Sequence, residues 1–302
     1  MRLRLILLAV ALVVIAAASP AGRWRLKALT LKLQGNAPEW TWKDVVIGMA
    51  PGSWRSTFIS RPFHGPVTFI KRDNSSPCPV LWDTPRGPMW AWFLDQPYLS
   101  WHIPRWKMLQ EKYPDARPIP DGGVVLEVGA WVGTFVLAAL DQGASHVIAL
   151  EPEPSNYVCA QKNLAEAIRA GRVTLIQAAA WHENGEARFG HPEMDENGSP
   201  QSGGEGFTAM ADGDSIVRTV TIDGLVEELG LERLDVIQMD IEGTERHALR
   251  GARRTMEALA PGLIVCIHHL EDDRTVIPLL VLDANPRYRQ GGDDDHAFFY
   301  AE

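Results

Sequence analysis

The stretch VVLEVGAWVGTF, residues 124 to 135, places an acid and two glycines where an apolar run ends. Glu127 comes just before the expected turn, and Gly129 and Gly133 lie within it. Glycine at such a turn permits a positive φ or a close approach by another group. A dinucleotide fingerprint would read GxGxxG, but Trp131 occupies the place of its second glycine. An acid beside the turn and an indole within it disfavour a pyrophosphate and favour a cationic ligand.

A second acid, Glu151, ends the next apolar run, HVIALEP, 22 residues after Gly129. In nucleotide-binding sheets an acid at this place accepts the hydroxyls of a ribose. A nucleoside that carries a cationic amino-acid tail is S-adenosylmethionine, and Glu127 and Glu151 together predict this cofactor. Taken alone, Glu151 could instead place its charge at the start of the following helix.

The elements that must position these acids begin near residue 120, where short apolar runs alternate with amphipathic stretches. This alternation predicts βαβ units and an α/β, doubly wound, mostly parallel sheet. The predicted strands are VVLEVG, HVIALEP, VTLIQAAA, VRTVTI, DVIQMD and LIVCIHH, with RYRQ and HAFFYAE as a hairpin that closes one edge. The predicted helices include SNYVCAQKNLAEAIRA and GTERHALRGARRTMEAL, and PVTFI, before the sheet, reads as a short strand. Ligands of such sheets bind at the carboxyl ends of the strands, so the acids should converge there.

The remaining chain divides into two further segments. Residues 5 to 22 are uncharged and lie between basic flanks, which predicts that residues 1–22 form a membrane anchor or a signal peptide. The more basic far flank favours an anchor with the catalytic domain in the cytoplasm; cleavage would instead give a secreted or periplasmic protein. Residues 23–119 form an extension rich in tryptophan and proline, and residues 120–302 form the α/β domain.

Composition excludes several classes of partner and site. The formal net charge of −9 disfavours nucleic acid as the main partner. Three widely spaced cysteines lack metal-binding spacing, so we expect thiols in a reducing compartment rather than disulfides or zinc. The acidic loop GGDDDH, residues 291 to 296, reads as solvated, and no metal is predicted.

Several blocks in order resemble the FkbM-type family of S-adenosylmethionine-dependent methyltransferases. The blocks are VVLEVGAWVGTF, VIALEPEPSNY, AAAWHENGEARF, VTIDGL, LDVIQMDIEGTERHALRGARRTM and CIHH. The resemblance covers about residues 120 to 270 and implies a class I methyltransferase (Rossmann-like) fold with a seven-stranded sheet whose last strand is antiparallel. It also implies S-adenosylmethionine as cofactor and, usually, O-methylation.

Carried over to this chain, the resemblance assigns five residues to the cofactor. Glu127, Gly129 and Gly133 match the loop at the methionine end, Glu151 matches the ribose acid, and Asp240 matches the aspartate after the fourth strand. The loop departs from the family pattern because Trp131 stands where a small or polar residue is common.

Two residues are candidates for the methyl transfer itself. Asp240 follows a strand on the ligand side, where it could hold the methionine ammonium or face the acceptor. His268 follows the strand LIVCIHH and has an unperturbed pKa near neutrality, as a general base requires. The expected acceptor is a hydroxyl on a sugar, a lipid-linked glycan or another small molecule.

Two other functions compete with methyl transfer. One is a non-catalytic Rossmann-like module, which Trp131 in the loop would favour. The other is a nicotinamide-dependent oxidoreductase on the same sheet topology, which the missing GxGxxG disfavours. The sequence leaves open the acceptor, the choice between O-, N- and C-methylation, and the oligomeric state.

Overall fold

The structure, a computed structural model, describes residues 67–91, 99, 119–190, 208–209, 213–292 and 295–301. The predicted N-terminal segment 1–22, most of the Trp-rich extension, and Asp293 and Asp294 of the acidic loop lie outside these ranges. Within them, every helix is too short or too polar to traverse a bilayer.

The chain divides into two compact units. The first contains a three-stranded antiparallel sheet of β1 (Thr68–Arg72), β2 (Val80–Thr84) and β3 (Gly87–Ala91). The strand predicted from PVTFI overlaps β1. Trp82 is fully buried in β2 and meets Phe69 edge-on, with ring centroids 6.2 Å apart. Trp82 is thus a packing residue.

The second unit holds the other strands. In chain order they are β4 (Val124–Val128), β5 (His146–Leu150), β6 (Val173–Ile176), β7 (Ala179–Ala180), β8 (Gly185–Gly190), β9 (Thr208–Ala209), β10 (Ser215–Val220), β11 (Val236–Met239), β12 (Gly262–Cys266), β13 (Tyr288–Gly292) and β14 (His296–Ala301). Its helices are α1 (Thr134–Asp141), α2 (Pro154–Asn163), α3 (Ala165–Arg169), α4 (Ile222–Glu228), α5 (Glu245–Arg250), α6 (Arg253–Ala258) and α7 (Asp273–Ala284).

The main sheet has seven strands in the order β6-β5-β4-β11-β12-β14-β13. The five strands β6, β5, β4, β11 and β12 run parallel, whereas β14 is antiparallel to both β12 and β13. The order reverses at β4, and this switch point is where ligands bind in doubly wound sheets. The class I methyltransferase fold, including its antiparallel last strand, is therefore confirmed.

Both faces of the sheet are covered, which explains the near-continuous apolar runs of its strands. Along β4, Val125 packs into the core on one face and Leu126 into the core on the other. Val147 and Ile148 divide in the same way along β5. A smaller sheet with the order β7-β10-β8-β9 extends the unit.

The helices differ from prediction in two respects. Two stretches expected to form single helices are each broken, at Leu164 between α2 and α3 and at residues 251–252 between α5 and α6. Helix α7 was not predicted. It contains Pro278, and a proline in a helix interior removes a hydrogen-bond donor and normally argues against a helix.

Cys78 and Cys159 form a disulfide, with their Cα atoms 5.3 Å apart and a separation of 81 positions along the chain. Cys159 lies in α2, and Lys162 of the same helix donates to the Ser76 hydroxyl and the Cys78 carbonyl. The prediction of three thiols is therefore wrong for Cys78 and Cys159, because cysteines that are far apart in the sequence can lie next to each other in the fold. Cys266 is a buried free thiol.

This disulfide predicts a thiol count. Protein prepared in an oxidising thiol–disulfide buffer should show one titratable thiol per chain after denaturation, and three after reduction. Cys159→Ser should lower the free energy of unfolding by about 2–5 kcal/mol, because it frees a long loop in the unfolded chain. The thermal midpoint measures this loss. As a control, Cys266→Ser should abolish the thiol signal of the unreduced protein; three thiols without reduction would contradict the pairing.

Candidate functional site

The loop after β4 is shaped by its two glycines. Gly129 has φ +92° and Gly133 has φ +91°, values that residues with side chains rarely adopt. A Cβ on Gly129 would lie 2.5 Å from the carbonyl oxygen of Asp240. The group that approaches Gly129 is thus the backbone at the end of β11. The protein's own packing explains this glycine, and the argument for a ligand rests on the acids around it.

Glu151 fastens this loop to the next one. Its carboxyl oxygens accept from the backbone N–H of Trp131 at 2.7 Å and of Glu153 at 2.9 Å. Trp131 itself has φ +48°, which marks a strained position. The alternative role of helix capping belongs to Glu153, whose side chain accepts from the N–H of Asn156 at the start of α2. Glu151 is therefore placed between the two turns.

Burial makes Glu151 unusual as a carboxylate. Its side chain is 4% exposed, and burial raises the pKa to about 8, although the N–H groups of Glu153 and Trp131 oppose the shift. Hydrogen-bond donors supplied by a ligand would, like these N–H groups, lower the pKa of Glu151 and favour its carboxylate form.

Glu127 lies at the same edge of the sheet in β4 and is 2% exposed. The amide of Gln238, in the orientation that satisfies both groups, donates to its two oxygens at 2.8 and 2.6 Å. Burial raises the pKa of Glu127 well above its usual range, and the negative charges of Asp240 and Glu151 raise it further. A cation bound beside Glu127 would offset each of these effects, so the position suits a positively charged ligand.

Asp240 follows β11 and meets a histidine that follows β12. The Nε2 atom of His269 lies 3.4 Å from Asp240 Oδ1 and 3.7 Å from Glu242 Oε2. Its Nδ1 atom lies 3.0 Å from Oε1 of Glu245, which is fully buried. Burial lowers the pKa of His269, but the carboxylate of Glu245, the Cys266 contact and Asp240 outweigh that effect and raise it well above its usual range. We call Asp240, Glu242, Glu245 and His269 the strand-end cluster.

The turn after β11 sets the geometry of this cluster. Glu242 has φ +57°, and its carbonyl accepts from the hydroxyl of Thr208 in β9 at 3.0 Å. Glu245 reaches back so that Oε1 also accepts from the N–H of Ile241 at 2.9 Å. The strained backbone at Glu242 is held by these contacts, and it turns the two acids toward the histidine.

The predicted candidate His268 lies outside the cluster. Its ring is exposed, and Nδ1 lies 3.0 Å from the sulfur of Cys266 and 3.4 Å from the carbonyl oxygen of Asp295. Burial raises the pKa of the Cys266 thiol to about 12, so this sulfur is not a thiolate near neutrality. The role of His268 stays a prediction.

Sequence reasoning did not select His269 or Glu245 as site residues. The usable signal was the pair of histidines that closely follows the apolar run of β12, because residues after neighbouring parallel strands meet at one edge of the sheet. The sequence alone could not show which of the two meets the acids after β11.

The raised pKa of Glu151 predicts how stability depends on pH. Between about pH 4.5 and 8 the folded protein holds a proton on Glu151 that the unfolded chain has lost, so stability falls as pH rises. Glu151→Gln cannot lose that proton. Its stability relative to the native chain should therefore rise between pH 5 and 8, by about 1 kcal/mol or more. Urea unfolding at several pH values measures this difference. Glu166→Gln, at an exposed position on α3, should show no such trend, and parallel curves for Glu151→Gln would refute the buried proton.

Comparison with known proteins finds methyltransferases among the similar chains. A hexuronic acid methyltransferase of Haloferax volcanii, AglP, is 26% identical over 157 residues, which cover 52% of this chain and 61% of AglP. Among solved structures, the methyltransferase FkbM of Methylobacillus flagellatus is 19% identical, with a TM-score of 0.46 over 69% of this chain and 54% of that one. A precorrin-6y C5,15-methyltransferase of Geobacter metallireducens is 12% identical, with a TM-score of 0.37 over 64% and 85%.

The family model described as the methyltransferase FkbM domain matches residues 127–291, which is more than half of the chain. The match begins at Glu127 and includes the glycine loop, Glu151 and the strand-end cluster. Methyltransferases of this kind take their methyl group from S-adenosylmethionine. The chain belongs to the FkbM methyltransferase family.

Proposed function

We propose that this protein transfers a methyl group from S-adenosylmethionine to a hydroxyl group of a sugar or glycan. The observation that carries the proposal is the pair of buried carboxylates, Glu127 and Glu151, on either side of the glycine loop at the switch point of the sheet. Within the described part of the chain, no basic side chain contributes to the pKa of either acid. A ligand that supplies positive charge and hydrogen-bond donors would offset the cost of burying their ionised forms.

The residues present fit the cofactor. Glu127 would hold the ammonium group of the methionine end. Burial and the nearby Asp240 and Glu151 raise its pKa, and a neighbouring cation would counter that shift by stabilising the carboxylate. Each oxygen of Glu151 accepts one backbone N–H and keeps a second lone pair, so the carboxylate could receive both ribose hydroxyls. Trp131 stands where a dinucleotide would need a glycine, which disfavours a nicotinamide cofactor.

When bound, S-adenosylmethionine supplies an electrophilic methyl group on a sulfonium. The task of the protein is then to align the acceptor, and alignment can contribute up to about 7–11 kcal/mol to lowering the barrier. Asp240 and His268 remain proposed catalytic residues. The geometry adds His269, whose ring contacts three acids at the ends of β11 and β12.

A sugar acceptor is supported by AglP, which is named a hexuronic acid methyltransferase. The match covers about three-fifths of that relative, so the whole activity does not transfer with the likeness. We therefore propose the chemical class, a sugar hydroxyl, with uronic acids as the first acceptors to test.

Cofactor binding is the first test. Calorimetric titration of the full-length chain should show binding of S-adenosylmethionine and S-adenosylhomocysteine but not of NADH. Glu151→Ala should weaken binding at least about tenfold, because two charge-assisted hydrogen bonds are lost. Glu166→Ala is the matched control and should bind normally. Binding of NADH alone would indicate an oxidoreductase, and binding of none would indicate a non-catalytic module.

Acceptor class is tested by transfer of a labelled methyl group to saccharides. We expect incorporation into oligosaccharides that contain uronic acid, as a base-stable ether if a hydroxyl is the acceptor. A base-labile product would identify a methyl ester and contradict O-methylation of a hydroxyl. Faster reaction of neutral saccharides would contradict the uronic acid preference and leave the methyltransferase assignment intact.

A further inference from the structure

We propose that Asp240, Glu242 and His269 bind a divalent cation of the Mg²⁺ or Mn²⁺ class, which holds the acceptor hydroxyl. One ligand atom from each residue lies within 4.8 Å of the others. The inference rests on the proposed function, because it assigns these residues to the acceptor side of the same site. It differs from the sequence analysis, in which no metal was predicted.

The distances within this group suit a shared ion better than direct pairing. His269 Nε2 lies 3.4 Å from Asp240 Oδ1 and 3.7 Å from Glu242 Oε2. Both contacts are longer than the usual 2.7–3.2 Å or so of a hydrogen bond. Ligands of an octahedral ion with bonds of about 2.1 Å lie roughly 3 Å apart when adjacent and roughly 4 Å apart when opposite. Small rotations of these side chains would complete such a shell.

The other nitrogen of His269 supplies an independent argument. A histidine that binds a metal nearly always donates its second ring N–H to a carboxylate or carbonyl, which fixes the ring and its tautomer. Nδ1 of His269 lies 3.0 Å from Oε1 of the fully buried Glu245. Nε2 is thereby directed at Asp240 and Glu242, the two acids that are partly exposed.

The arrangement of the cluster also suits a bound cation. The carboxylates of Asp240, Glu242 and Glu245 all lie within 3.7 Å of a ring nitrogen of His269. The second oxygen of Glu245, Oε2, is buried and has no hydrogen-bond partner within the described part of the chain. A nearby divalent ion would stabilise this carboxylate together with the two that bind it.

The ligand types favour a hard ion. The two carboxylates suit Mg²⁺ or Mn²⁺, and the imidazole favours Mn²⁺ of the two, whereas thiolate ligands select zinc. Two other groups also bring their ligand atoms within 4.8 Å of one another: Cys266 with His268 and His269, and Asp240 with Cys266 and His296. Both depend on the Cys266 sulfur, which is buried. Three protein ligands leave open positions for a sugar hydroxyl and a neighbouring hydroxyl or carboxylate. The bound hydroxyl would lose its proton to water more readily, because the ion compensates the charge left on oxygen.

Manganese binding tests the site without activity. The full-length chain is stripped with EDTA, which is then removed, and Mn²⁺ is titrated while the paramagnetic resonance of the free ion is recorded. We expect about one tightly bound ion per chain. Glu242→Gln and Asp240→Asn should weaken binding at least about tenfold. Glu271→Gln, an exposed acid two residues after His269, is the control and should bind normally.

Other outcomes would overturn the proposal. These are no bound Mn²⁺, binding that Glu242→Gln leaves unchanged, or binding of Zn²⁺ alone that Cys266→Ser abolishes. The thermal midpoint of each variant reports whether it is folded, and a parallel titration of the native chain with S-adenosylhomocysteine in EDTA tests the cofactor site. It also separates the two proposals: Mn²⁺ without S-adenosylhomocysteine binding overturns the proposed function alone, and the reverse result overturns the cation site alone. Methyl transfer by the native chain should stop in EDTA and resume with Mn²⁺.

Discussion

The buried carboxylate of Glu151 is the constraint on which the proposed binding site for the methyl donor depends. Its oxygens hold the backbone of Trp131 in one βα turn and that of Glu153 in the next. An ionisable group in this position lowers the stability of the folded chain above its unperturbed pKa. In the proposed site, hydrogen-bond donors of the bound cofactor would offset that cost, and the contacts with Trp131 and Glu153 would pre-organise the loop that receives it.

Negative charge is concentrated at one edge of the sheet. Glu127 and Glu151 lie at the ends of β4 and β5, and Asp240, Glu242 and Glu245 follow β11. Burial raises the pKa of Glu127, and the nearby Asp240 and Glu151 raise it further, because acids this close disfavour one another's ionised forms. A methyl donor with an ammonium and a sulfonium group, and a divalent ion beside it, would relieve that repulsion at two neighbouring positions. Both proposals thus follow from one electrostatic requirement.

Patterns of local sequence predicted most of the fold and, together with the family resemblance, the cofactor. Apolar runs with regular turns located β4, β5, β11 and β12, and the acid at the end of β5 indicated the cofactor. Features that depend on distant residues escaped prediction. Gly129 is required by the carbonyl of Asp240, and only the fold reveals that contact. Likewise, both histidines lie beyond the end of β12, so which of them meets the acids after β11 depends on the course of the backbone there. Pro278 concealed a helix whose packing overrides its local cost.

The link between Cys78 and Cys159 has a consequence for the integrity of the chain. It turns residues 79–158 into a closed covalent ring that contains the glycine loop and Glu151. A single proteolytic cut anywhere in this ring would leave both pieces attached to each other. The two turns that Glu151 joins could therefore remain together in a nicked molecule, and the damage would become visible as separate fragments only in a reducing gel.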